Sequence, residues 1–165
     1  MYYINIFFIY SIMGHIIETV LYTIGNGESG ILYGYWTPIY GFGSVFILLM
    51  YDYLITHRKL NKWVENILIF LTGAVFLTLL ECLAGNLIEY FFGVIFWNYD
   101  NLPLHIGHYI SLEMAFVWGI SSLVIVRILR PLFDYFEEKI PKWVTWVLII
   151  LLLIDFGCTL YFKVL

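Results

Sequence analysis

Charge is what this chain lacks most. Lys and Arg number 8 and Asp and Glu 12, so charged residues make up 12% of the 165 positions. A soluble domain carries about twice that share. No Lys/Arg-rich patch exists, which excludes a nucleic-acid partner. Only two cysteines occur, Cys82 and Cys158, each inside an apolar run. They read as small apolar residues, with no disulfide or metal role expected. There are only four prolines, and no P-loop (G-x-x-x-x-G-K-[ST]) occurs anywhere. The chain therefore carries no ATPase motor of its own, and no cofactor is expected.

What is present is apolar. Hydrophobic residues make up 62% of the sequence, aromatics 21%, and the mean hydropathy is +0.90. Lipid is the partner that such a composition requires. A helix crosses the hydrocarbon in about 20 apolar residues, and five segments qualify: Tyr2–Ile24, Pro38–Thr56, Val64–Phe92, Ile106–Leu129 and Trp143–Val164. No basic region precedes the first, so it is expected to be a retained helix and not a cleaved signal. Pro38 opens the second, where its missing N–H costs nothing. The fold expected is all-α: a polytopic membrane protein of five transmembrane helices in one integral membrane domain over residues 1–165.

The few cations set the orientation. Arg58, Lys59 and Lys62 lie between spans two and three; Arg127, Arg130, Lys139 and Lys142 lie at or between spans four and five. Connections 25–37 and 93–105 have none, and Lys163 falls elsewhere. The positive-inside rule then puts the N-terminus inside and the C-terminus outside. Residues 131–141, "PLFDYFEEKIP", repeat apolar side chains at Leu132, Phe133, Phe136 and Ile140, the pattern of a short interfacial helix. "GHIIE" (14–18) resembles "GNLIE" (85–89), and each precedes an aromatic-rich outer loop, a faint sign of duplication.

Acids inside spans are expensive and mark interiors or water-filled cavities. Five candidates stand out: Glu18, Glu81, Glu89, Glu113 and Asp155, with His15, His105 and His108 in the outer zone and no Lys or Arg expected among them. Ser11, Gly14, His15, Glu18 and Tyr22 share one stripe; Gly73, Glu81, Gly85 and Glu89 share one face of span three. Ser111, Ala115 and Gly119 form a small-residue stripe, and Glu113 points about 200° away from Ser111. Two readings stay open: acids hydrogen-bonded for structure, or an ion-binding cluster. His15 with Glu18, at i,i+3, reads equally as a relay pair or a structural contact. Over the cluster lies "SGILYGYWTPIYGFG" (29–43), four glycines and five large aromatics with no Lys or Arg. It is expected to be a loop or re-entrant lid, with Tyr33, Tyr35 and Trp36 as interfacial anchors and Tyr40 placed to bond an acid.

The ordered motifs "YSIMGHIIE" (10–18), "GILYGYWTPIYGFG" (30–43), "LLECLAGNLIEYFFGVIFWNYD" (79–100) and "IGHYISLEMAFVWG" (106–119) resemble a family of small bacterial membrane proteins, the "Putative ABC-transporter type IV" permeases. The resemblance implies transport at a bacterial cell membrane, with a separate chain as any ATPase. It points to Ser11, Gly14 and Glu18, to Gly30, Leu32, Gly34, Pro38, Tyr40, Gly41 and Gly43, and to Glu81, Glu89, Trp97, Tyr99, Gly107, Trp118 and Gly119. Two departures stand out: Ser29 where the family commonly has Arg, and Tyr35 where it commonly has Pro.

These observations give three function classes. In the first, a permease subunit, His15, Glu18, Tyr40, Glu81, Glu89, Glu113 and Asp155 bind a cation, cationic solute or protons. Its lid is built from Gly30, Gly34, Tyr35, Trp36, Pro38, Gly41 and Gly43. Five helices make a small pore, so a homo-oligomer or a partner membrane chain is expected. The second is a non-catalytic assembly or regulatory partner. The third, an intramembrane His/Glu acid–base enzyme acting on lipid, lacks any nucleophile or metal signature.

Overall fold

A computed structural model describes residues 1–25 and 31–163 of the chain. The helices are α1 (Tyr2–Gly25), α2 (Pro38–Met50), α3 (Lys62–Phe92), α4 (Leu112–Val124), α5 (Arg130–Glu137) and α6 (Lys142–Lys163). Among the described residues, five stretches are long and apolar enough to cross a membrane: Tyr2–Leu21, Pro38–Ile55, Lys62–Phe92, Leu112–Glu137 and Lys142–Lys163. Large apolar side chains on these stretches, such as Leu21, Leu71, Leu83 and Leu153, are exposed, as a lipid-facing helix requires.

Local chemistry sets the boundaries. Asn61 caps α3 by accepting from the Trp63 amide at 2.9 Å, and Gly93, at φ 64°, stops it in the left-handed conformation. The fourth span starts later than the apolar run suggests. Residues His105–Ile106 (β1) and Ile110–Ser111 (β2) pair as an antiparallel hairpin, and the Ser111 hydroxyl accepts from the Met114 amide at 3.0 Å. That cap makes Leu112 the first helical residue, not Ile106. Residues 131–141 likewise differ from a free-standing interfacial helix: α5 follows α4 directly through the π-helical turn Ile125–Leu129, and Glu137 ends it. A second π-helical turn, Tyr51–Ile55, closes α2.

The helices fall into two compact units, residues 1–45 with 132–165 and residues 46–131. In the first, the start of α1 is tied down by polar contacts. Tyr2 donates to Asp134 at 2.6 Å, Asn5 donates to Glu137 at 2.8 Å, and Thr145 donates to Asn5 at 2.5 Å. Asn5 and Thr145 are buried, so this is a polar core within an apolar unit. Tyr10 packs edge-on against Phe133.

In the second unit α3 lies along α4. Gly73 admits Ser122, and Gly119 admits the Phe70 ring, so the small-residue positions serve close helix packing. At its basic end Arg130 forks onto Asp52 at 2.6 and 3.0 Å. Arg127 reaches Glu65 at 2.8 Å, Asn66 at 3.0 Å and the Tyr51 hydroxyl at 3.2 Å.

Candidate functional site

The expected acids divide between the units, Glu18 and Asp155 in the first and Glu81, Glu89 and Glu113 in the second. In each unit the acids hold non-helical chain against the helices.

In the first unit the held chain is 31–37. A non-helical backbone in an apolar setting needs partners for its N–H groups. Asp155 supplies them from α6: Tyr33 N–H donates to Oδ1 at 2.9 Å, Gly34 N–H to Oδ2 at 2.9 Å, and the Trp36 indole to Oδ2 at 2.7 Å. Two successive amides converging on one carboxylate form an anion-holding nest. Thr159 adds a longer bond at 3.4 Å from one turn further along α6. On α1, Glu18 accepts from the Thr37 hydroxyl at 3.1 Å and is hydrogen-bonded by Tyr40, as its position predicts. The Thr37 amide donates to the Ser11 carbonyl at 3.0 Å.

The other positions of this stretch lie around these bonds. Gly34 lies under the Trp36 ring, Pro38 begins α2, Gly41 faces Ser11 and Phe7, and Gly43 is buried. Tyr35 is 81% exposed, its ring edge-on to His15 at 5.7 Å. The His15 Nδ1 is enclosed and has no hydrogen-bond partner among the described residues. Gly30 and Ser29 lie outside the described residues.

A cation also reaches this segment: Lys163, at the end of α6, folds back onto it. Its ammonium donates to the Ile31 carbonyl at 2.6 Å and stands 4.6 Å from the centroid of the Tyr33 ring. The same short stretch thus carries a carboxylate on its amides and an ammonium on its carbonyl and ring.

In the second unit, Glu81 is bonded by the Tyr99 hydroxyl and, at 2.7 Å, by the Trp118 indole. Glu89 accepts from the Tyr109 hydroxyl at 2.9 Å. His108 pairs with Asp100 at 2.9 Å, and both are about half exposed. Glu113 sits in the first turn of α4, and its Oε2 is enclosed with no hydrogen-bond partner among the described residues.

The five-residue likeness noted in the sequence acquires a third member. Gly14 lets the Tyr40 ring lie on α1, where a Cβ would overlap it, and Tyr40 bonds Glu18 one turn on. Gly85 does the same for the Tyr109 ring on α3, and Tyr109 bonds Glu89 one turn on. Tyr109 itself carries no local signal in the sequence; only its counterpart Tyr40 points to it. Burial, with Glu89 next to it, pushes the Tyr109 phenol up to about 12. Among the described residues no three His, Cys, Asp or Glu side chains gather as metal ligands.

Residues 5–163 match a protein family described as "Putative ABC-transporter type IV". Neither a curated protein nor a solved structure matches the chain.

Proposed function

The chain belongs to that ABC-transporter type IV family, and from this premise we propose that it is a small permease subunit of a bacterial cell membrane. In this reading residues 31–37 face outward and accept a cation or cationic solute. The N-terminus lies inside and the C-terminus outside, by the distribution of Lys and Arg. Any ATPase is a separate chain meeting the basic side, and five spans call for a homo-oligomer or a partner membrane chain to complete a path.

The observation that carries the reading is that one short stretch, 31–37, is held by both a carboxylate and an ammonium. Asp155 is gathered by Tyr33, Gly34 and Trp36, while the Lys163 ammonium occupies the Ile31 carbonyl and the Tyr33 ring. Glu18, bonded to Thr37, adds a second acid to the same stretch. The test is the melting temperature of the full chain in phosphatidylcholine nanodiscs. Potassium, magnesium and decylammonium chlorides are compared at fixed ionic strength with wild type, Glu18→Gln and Asp155→Asn. A cation-dependent rise of several degrees that both variants abolish is expected. Equal rises in all three proteins would sink the reading.

A second reading has its own support. Among the described residues, the Glu81 and Glu89 carboxylates accept from Tyr99, Trp118 and Tyr109 of their own unit. Such acids serve assembly, as in a non-catalytic membrane partner, and their amide variants would lose complex formation before any solute response.

A further inference from the structure

Resting on the cation-accepting reading of residues 31–37, we infer that this site is built for an amphipathic primary ammonium, whose place Lys163 holds in the free protein. The Lys163 ammonium makes two contacts: it donates to the Ile31 carbonyl at 2.6 Å and lies 4.6 Å from the Tyr33 ring centroid. A carbonyl acceptor with an aromatic face is the pair of groups that recognises an N–H-bearing cation. Magnesium and calcium need about six oxygen ligands, which one carbonyl and a ring do not supply. A quaternary ammonium has no N–H to give the carbonyl. Behind the segment, Asp155 places a negative charge against the Tyr33 and Gly34 amides.

The body of the ligand has a place as well. An open, groove-like cavity of about 690 Å³ adjoins the segment, lined by Tyr33, Trp36, Ile154, Asp155, Cys158 and Phe162. That volume suits a small organic ligand, and its walls are apolar and aromatic. Ile154 and Phe162 are 57% and 70% exposed, on a helix apolar enough to cross a membrane. An amphiphile dissolved in the bilayer therefore reaches the cavity sideways. Its hydrocarbon lies along α6 while its ammonium displaces that of Lys163 from Ile31 and Tyr33.

Decylammonium is the probe, titrated against the full chain in phosphatidylcholine nanodiscs and followed by tryptophan fluorescence. Lys163→Met removes the internal competitor and is expected to tighten binding about tenfold; adding Tyr33→Leu to that variant should reverse the gain. Decyltrimethylammonium and decanol should show no gain with Lys163→Met. The inference is overturned if Lys163→Met binds decylammonium no more tightly, or if decanol gains equally. If small cations still stabilise the protein through Asp155 while decylammonium gains nothing, this inference alone fails. Loss of both responses overturns the cation reading too. Repeating the titration in phosphatidylethanolamine discs separates two supporting outcomes: weaker probe binding assigns the site to an aminolipid headgroup, and unchanged binding to a free amphiphile.

Discussion

At the scale of single residues, tyrosine and tryptophan do the work that cations do elsewhere. Glu81, Glu89 and Glu18 each receive a tyrosine hydroxyl or a tryptophan indole N–H, groups that carry an apolar body with one polar tip. The Tyr109–Glu89 bond has a pH signature. The phenol titrates at about 12 in the folded protein against an ordinary 10.0. A raised phenol adds stability that is complete below the unfolded value and fades as pH climbs through the folded one. An absorbance titration of tyrosinate should thus contain one late component near 12, absent in Tyr109→Phe. In Glu89→Gln that component should move part of the way down, burial still holding it above the ordinary value. A late component that survives Tyr109→Phe would refute the assignment.

These residues also show what the sequence reveals and what it hides. Every acid was visible as an anomaly in an apolar run, because charge in lipid stands out wherever it falls. Tyr40 could be placed near an acid because it opens span two at the same membrane end where Glu18 lies on span one. The partners of Asp155 could not, since Tyr33 and Gly34 bind it through backbone amides, which leave no mark on side-chain patterns. The contact of Lys163 with Ile31 leaves no mark either, since a flexible stem of four methylenes reaches well away from its own position.

At the scale of elements, the start of α1 is the best-defended contact in its unit. Asn5 stands between Thr145 of α6 and Glu137 of α5, receiving from one and donating to the other. Replacing it by Leu strands a buried hydroxyl and costs about 1–3 kcal/mol. The double variant Asn5→Leu with Thr145→Val should regain part of this loss, as measured by reversible unfolding in mixed micelles. Strict additivity of the two single variants would argue against the link. Element lengths followed hydropathy closely, but the start of α4 did not. Ile106 and Ile110 are as apolar as a helix interior, and only the hairpin pairing and the Ser111 cap separate them from it.

At the scale of the whole molecule, five apolar helices make this a multi-pass membrane protein in contact with lipid. Topology is where lysine and arginine act together. Single cysteines placed at 58 and 104, in a variant whose Cys82 and Cys158 are changed to Ala, should differ in reactivity toward an impermeant maleimide on intact cells. Residue 104 should label from outside and residue 58 only after lysis; the reverse pattern would invert the proposed orientation. Composition alone gives this much because the bilayer constrains every span alike, whereas which acid meets which loop depends on contacts far apart in the chain.

The Asp155 nest carries a consequence for biogenesis. The amide of Tyr33 finds its acceptor 122 positions later, on α6. Until α6 enters the bilayer, the first connection has two amides and an indole with no carboxylate to receive them. The 31–37 stretch is therefore completed only by a helix made more than a hundred residues later. A chain that stops short of α6 leaves that stretch without the carboxylate that gathers it, so its order depends on synthesis reaching α6.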